Sequence, residues 1–430
     1  MWLSIVLAAP LPGGAVRAAW AAPPSAEEPL PIPQRPAPVV QWPAVADGLS
    51  SSEQAVARRL LDKLAKRVAL ESADADAALS LVAGHAASKS VGSLAVAALT
   101  SLAYQEAAAR QCDAALEHLR PARDLDEEGA YVPLATLDVL LQCGAWTEAE
   151  ASARDLLARQ PENDEAGLGL AYALLRQDRD QEALDALAAS PRLRDHPLAS
   201  RLRERLAKNL ALEAGFREQR LSHFNLRYDG ERHEAIGERV LDTLERHFST
   251  LTSAFDYQPQ MPIPVVLLTR EAYFDSMSAP RWSGGEFSEY DGRVRVPILG
   301  LTPDKVRELE GTLLHELTHA FVYELTRGAA NRDLQEGLAQ YMEGKRTATM
   351  AAPDKAAIAA GRAGDVRLKY LAALSFVEFL MSQGDQATIN VLLTGLGKTG
   401  DVDAAWREAY GRTLAELRAA WLETLRPASP

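Results

Sequence analysis

Cysteine is nearly absent from this 430-residue sequence: there are two, Cys112 and Cys143, and no Cys-x-x-Cys pair. A metal centre built on cysteine thiolates is therefore excluded. The two thiols read as inert core residues or, in an exported chain, as one disulfide. Basic residues are in deficit as well, since 46 Lys and Arg stand against 59 Asp and Glu, a formal net charge of −13. Nucleic-acid binding needs clustered cations against phosphate and is excluded as the main function. Beyond the N-terminus no run reaches the roughly 18 apolar residues that a spanning helix needs, so no transmembrane segment is expected in the mature chain. The last absence bears on chemistry: no histidine follows His319.

What is present suits a folded chain. Apolar residues make up 47% and charged residues 24%, as in a globular protein with a real core, and the length suits two or three domains. The chain begins MWLSIVLAAP, and Ala19-Trp-Ala-Ala22 supplies an Ala-x-Ala cleavage pattern. No Lys or Arg precedes the apolar run, and Pro10 and Pro12 interrupt it. Residues 1–22 read as a signal peptide, which places the mature chain in the periplasm or outside the cell rather than in the cytoplasm. Residues 23–49 read as an extended linker, because proline is too dense there for regular helix or sheet.

Residues 50–214 are rich in Ala and Leu and carry helical periodicity, as in Val56-Ala-Arg-Arg-Leu-Leu-Asp-Lys-Leu64. Three segments repeat at a period of 34: Cys112-Asp-Ala-Ala-Leu116, Trp146-Thr-Glu-Ala-Glu150 and Asp180-Gln-Glu-Ala-Leu184. They align Ala115, Ala149 and Ala183, with Gly144 at a turn and Pro161 after a helix. A small residue in register lets two helices cross closely. The pattern resembles the tetratricopeptide repeat, over about residues 96–195, although Glu106, Leu140 and Leu174 hold the place where that repeat usually has an aromatic. The resemblance implies a surface for a protein partner or substrate.

From residue 215 to 430 strands precede helices, the pattern of an α+β domain. Phe224-Asn-Leu-Arg-Tyr-Asp229 alternates, and Pro262–Thr269 reads as a more buried strand. Arg293-Val-Arg-Val-Pro-Ile298 contains a proline, as edge strands do. Residues 281–292 between them are turn-rich. Helices are expected at about 231–256, 303–326, 333–344, 366–383 and 403–425.

The stretch Gly311-Thr-Leu-Leu-His-Glu-Leu-Thr-His-Ala-Phe321 lies in one of these helices. His315 and His319, four residues apart, diverge by only about 40° and can reach one metal ion. Glu316 stands beside them, the place of a base next to a metal-bound water. Val322 and Leu325 occupy positions where one completion of this motif has Gly and a third His, so a downstream carboxylate has to complete the site. Asp333-Leu-Gln-Glu-Gly-Leu-Ala-Gln-Tyr341 offers Glu336 at the start of a second helix, 17 residues beyond His319.

LHELTHAFV followed by LQEGLAQYMEG resembles the gluzincin branch of the zincins, and specifically the bacterial peptidase-MA-like domains, which commonly follow helical repeats in exported proteins. The resemblance spans about residues 215–430. It implies a multidomain fold, tetratricopeptide-like helices followed by an α+β zincin domain. It implies Zn2+ held by His315, His319 and Glu336, with Glu316 as the general base in hydrolysis of a peptide or protein substrate. Related enzymes orient the first histidine with an Asp four residues after the ligand Glu. Here that position is Gln340, so either Gln340 or Asp333 is the expected partner. Tyr341 and Tyr370 are the two candidates for the donor that steadies the oxyanion, each with a plain core role as its alternative.

Gln340 and the missing downstream histidine motivate a second reading, a repeat-based scaffold of the cell envelope whose zincin domain has lost turnover. Trp282, Gly284 and Gly285 read as a substrate loop or a plain surface turn. The upstream histidines, His85, His118, His196, His223, His233 and His247, lack paired spacing and read as surface or core residues.

Overall fold

The computed structural model describes Arg35, Val40 and residues 42–126, 129–277, 284–298, 302–362, 365–399 and 401–426. The expected signal peptide, most of the linker and Trp282 lie outside these residues, as does the side chain of His233. The chain is mostly helical, with one small mixed sheet in its second half.

Helices α1 (Trp42–Ala46), α2 (Ser51–Lys66) and α3 (Ser72–Gly84) come first. The first of them falls inside the stretch expected to be extended linker; Trp42 and Val40 pack on the core below, and Arg58 lies over the Trp42 ring at 4.5 Å. Three helix pairs follow: α4 (Lys89–Ala108) with α5 (Cys112–Leu125), α6 (Tyr131–Gln142) with α7 (Trp146–Arg159), and α8 (Asp164–Arg176) with α9 (Asp180–Ala189). Helix α10 (Pro197–Leu212) ends this part. Ala115, Ala149 and Ala183 are all fully buried, one per pair, and the first helices α4, α6 and α8 pack along one another. Gly144 turns at φ +72 between α6 and α7, a conformation that costs a side chain about 1 kcal/mol or more. Cys112 and Cys143 are joined, with Cα atoms 6.0 Å apart, so the disulfide ties the start of α5 to the turn after α6.

The second half opens with β1 (Phe216–Arg220) and β2 (Phe224–Asp229), then α11 (Gly230–Phe255), β3 (Ile263–Leu268), α12 (Arg270–Met277), β4 (Glu286–Phe287) and β5 (Val294–Pro297). The sheet order is β1-β2-β3-β5-β4, parallel in the middle and antiparallel at both ends. Two expectations change here. The strand at 293–298 is not an edge, because β3 flanks one side and β4 the other; the edge is β4, drawn from the segment that reads as turns. Its brevity hides it, since two residues cannot show alternation.

A 3₁₀ turn at Pro303–Leu309 then leads into α13 (Glu310–Thr326), followed by α14 (Arg332–Met342), α15 (Ala352–Ala359), α16 (Val366–Gln383), α17 (Gln386–Lys398), α18 (Val402–Tyr410) and α19 (Leu414–Thr424). The single helix expected at 403–425 is broken at Gly411, where φ is +67. Helix α13 buries Leu313, Leu317, Ala320 and Phe321, whereas Leu314 and Leu325 stay partly exposed. Phe321 anchors it among Phe248, Phe255 and Tyr257, with ring centroids 5.1, 6.5 and 6.4 Å away.

The sheet's alternation divides the molecule. Phe224, Leu226, Val294 and Val296 face α11 and α13 in one core. The opposite face turns charged residues towards the helical half. Asp178, in the turn after α8, takes Arg227 at 2.6 Å and Arg293 at 2.8 Å. Asp291 takes Arg205 of α10 at 3.1 Å and Arg295 at 2.5 Å. Burial disfavours the Asp291 anion, but Arg295 and Arg205 outweigh it and hold its carboxyl well below the usual range. Tyr290, in the β4–β5 turn, packs into the core of the helical half.

Candidate metal centre

Helix α13 ends at Arg327 in the left-handed conformation (φ 50), followed by Gly328 at φ 74. Asn331 then caps α14, its side chain accepting from the Leu334 amide at 3.0 Å. This short return brings the first turn of α14 beside the middle of α13. Gly337 lets α14 settle on α16: a Cβ there would meet the Ala373 carbonyl oxygen at 2.4 Å. The residue just before it, Glu336, is thereby fixed against the two histidines.

The imidazoles of His315 and His319 meet edge to face, centroids 4.9 Å apart. Glu336 Oε2 lies 3.5 Å from His315 Nε2 and 3.7 Å from His319 Nε2. All three donor atoms fall within 4.8 Å of one another. Donors around a tetrahedral zinc sit about 3.3 Å apart, so this spacing needs only a slight contraction. The Glu336 oxygen that faces the histidines is buried and has no hydrogen-bond partner, whereas a buried carboxylate oxygen is ordinarily satisfied. Two nitrogens and one such oxygen fit a divalent cation of zinc's kind.

Charge in this cluster follows from the same contacts. Burial works against the His315 imidazolium, yet the carboxylates of Glu336 and Glu343 push it up to about 10. Burial likewise opposes the Glu336 anion, and the two histidines hold its carboxyl below the usual range. A proton here does the work that a bound cation would take over.

Glu316 is 6% exposed. Burial raises its pKa, while His315, His319 and a hydrogen bond from the Phe287 backbone amide pull the other way. Its neighbour in β4's approach is Gly285, where a Cβ would meet Glu316 Cγ at 2.8 Å and Oε1 at 3.1 Å. The edge strand therefore presses backbone onto the carboxylate. Together with Thr312, His315, Tyr370 and Leu371 these residues line a cleft of about 690 Å3.

The remaining expected residues separate. The Tyr370 hydroxyl lines the cleft and donates to Glu336 Oε1 at 3.4 Å. Burial, then the Glu336 charge, pushes its pKa up to about 12, so it stays a donor. Tyr341 packs at the core margin under the Arg346 guanidinium, 3.9 Å from its ring centre, and does not line the cleft. Asp333 is turned outward to Arg418 at 2.7 Å. Gln340 spends its amide on two backbone carbonyls, Glu336 O at 3.1 Å and Tyr370 O at 3.0 Å, bracing α14 against α16. Neither is bonded to a histidine of the cluster; the first-turn position of Asp333 points it away from α13, and Gln340 is drawn to α16.

The carboxylate in contact with the His315 ring is that of Glu343, whose Oε2 lies 3.2 Å from His315 Nδ1. The sequence held a signal for it. Glu343 follows Glu336 by seven residues, which returns it within about 20° of the same helical face. Such carboxylates fix ring orientation and typically contribute about 10–100-fold to metal affinity or activity. Glu343→Gln is expected to weaken metal affinity by about that factor while leaving the fold intact; unchanged affinity in a metal-chelator competition would refute the role.

Residues 299–421 match a family model described as BSP, a peptidase of plants and bacteria. The match takes in α13, α14 and α16 but none of the strands. It supports a peptidase in general, hence a hydrolase acting on a peptide or protein, at the C-terminal end of the chain. No curated protein matches.

Proposed function

We propose that the chain is a zinc-dependent peptidase of the gluzincin type, exported from the cell, whose helical repeat domain (50–214, with tetratricopeptide-like repeats at about 96–195) precedes the catalytic domain (215–430). The observation that carries this reading is the buried Glu336 oxygen, without a hydrogen-bond partner, held between two histidine nitrogens, with a second carboxylate on the neighbouring cleft wall. The peptidase-family match supports the substrate class. The paired cysteines support export to an oxidising compartment.

His315, His319 and Glu336 would hold the ion. Zinc bound there would supply Lewis acidity, activating water and polarising a carbonyl. Glu316 takes a proton from the attacking water on its carboxylate and returns it to the departing amide nitrogen. Burial raises its pKa, which makes the carboxylate a stronger proton acceptor. Tyr370, kept protonated, donates to the carbonyl oxygen as charge develops. Glu343 holds His315 in one orientation. That contact favours turnover over the scaffold reading, because the carboxylate that Gln340 does not provide comes from Glu343, at the C-terminal end of the same helix.

The test is chelation and restoration. Purified protein is expected to carry about one zinc per chain by elemental analysis and to cleave an unfolded protein substrate. Chelation should abolish cleavage, and stoichiometric zinc should restore it. A metal-free preparation with undiminished activity would overturn the proposal. Full occupancy without cleavage of any unfolded substrate would favour the scaffold.

A further inference from the structure

Arg35 lies far from the cleft in sequence, yet its guanidinium is closely held by the helical half. Nε is 2.7 Å from Asp138 Oδ2, Nη2 donates to Asp138 Oδ1 at 3.2 Å, and Nη1 pairs with Glu165 in the first turn of α8. The Tyr104 hydroxyl of α4 donates to the same Asp138 carboxylate at 2.7 Å and also meets the backbone amide of Arg35. Only 11% of the Arg35 side chain stays exposed.

The repeat makes the site legible. Tyr104, Asp138 and Tyr172 are separated by 34 residues each and hold the same place on α4, α6 and α8. Tyrosine serves in the outer two pairs, and an acid replaces it in the middle one. Asp138 is 2% exposed. Burial pushes its carboxyl up to about 6 in spite of Arg35 and Tyr104. A buried carboxylate is costly unless a cation or hydrogen bonds compensate its charge. Among the described residues no helix of the stack supplies a cation to Asp138; the cation is Arg35, which belongs to none of these helices.

A permanent brace needs no such pair. Apolar residues in its place are often as stabilising or more so, while a guanidinium between carboxylates adds selectivity. One wall of the pocket also opens to solvent, since the Glu165 side chain is 61% exposed. We propose that Tyr104, Asp138 and Glu165 form a guanidinium-binding site for an arginine carried on an extended segment of another polypeptide, with the chain's own Arg35 occupying it as a tethered competitor. A tethered ligand acts at roughly millimolar effective concentration. A free peptide of about 10 μM intrinsic affinity would therefore bind the intact chain about 100-fold more weakly than a chain lacking Arg35.

The test uses the full chain and a fluorescent peptide of sequence PIPQRPAPVVQ, copied from residues 31–41. Fluorescence polarisation at physiological salt compares wild type, Arg35→Ala, and Arg35→Ala combined with Asp138→Asn. Arg35→Ala is expected to bind at least tenfold more tightly than wild type. Adding Asp138→Asn should erase that gain, and a peptide with Lys for Arg should lose most of it. Should Asp138→Asn fail to fold, Arg35→Ala with the exposed Glu165→Gln replaces it and must weaken binding. Binding by Arg35→Ala no tighter than wild type overturns the proposal and leaves Arg35 a brace. Binding indifferent to both acids, or to Lys for Arg, overturns it as well.

Discussion

Glu316→Gln is expected to slow peptide hydrolysis by about 10²–10⁴-fold, the range a positioned general base contributes, while zinc content stays at that of wild type. The substitution is nearly isosteric. The glutamine carbonyl can still accept from the Phe287 amide, and its Cγ still meets the backbone at Gly285, so the cleft wall keeps its shape. What is lost is the ability to take a proton. The donor atoms on His315, His319 and Glu336, which would hold the ion, are untouched by the change. His319→Ala provides the contrast, because it removes a donor and should lower metal affinity much more than Glu316→Gln does. Measured together, elemental zinc and the rate on an unfolded substrate separate the two roles. Equal loss of zinc in both variants, or a Glu316→Gln rate within threefold of wild type, would contradict the assignment.

The parts of this molecule that the sequence made legible are those whose signal is local. The helical first half shows in its 34-residue repeat, and the buried Ala115, Ala149 and Ala183 sit where that period puts them. The pair His315 and His319 needs only one helix, and Glu336 needs only a second helix close behind it. Long-range packing was opaque. Distance along the chain from Glu336 points to Asp333 and Gln340, but Arg418, from α19, claims the first and the carbonyl of Tyr370 the second. Glu343 is legible in principle from its seven-residue spacing to Glu336, which the i+4 pattern does not cover. Gly285 could not be read at all. Its role arises because a two-residue edge strand passes over Glu316, and nothing in a Gly-Gly pair distinguishes that from a surface turn.

The same edge strand ties the candidate site to the helical half, and this sets the second large effect. Asp291→Ala is expected to destabilise the chain by about 3–5 kcal/mol, a substantial part of the roughly 5–15 kcal/mol that holds a typical folded protein together. The Asp291 and Arg295 side chains are fully buried and that of Arg205 is 6% exposed, so removing the acid takes the bonded carboxylate from two guanidinium groups where water does not reach, leaving Arg205 on Ser288 and Arg295 on Asn209. Burial pushes the carboxyl of Glu286, on β4 itself, up to about 7 in spite of Arg295 and Arg205, and the Asp291 charge adds to that rise. The lesion lies in the β4–β5 turn, whose Glu289 carbonyl accepts from Arg176 of α8 at 2.7 Å and whose Tyr290 packs among the helices. Loosening this turn frees the strand that presses on Glu316. Hydrolysis should therefore fall even at temperatures where the protein remains folded, and by more than a surface change such as Glu162→Ala, whose ion pair with Arg192 is exposed and worth about 0–1 kcal/mol. Urea unfolding gives the stability and the peptidase rate below the transition gives the coupling. A loss under about 1 kcal/mol would mean that water reaches the pair. Full stability loss with an unchanged rate in the folded fraction would mean that the helical half holds the sheet without setting the position of the base.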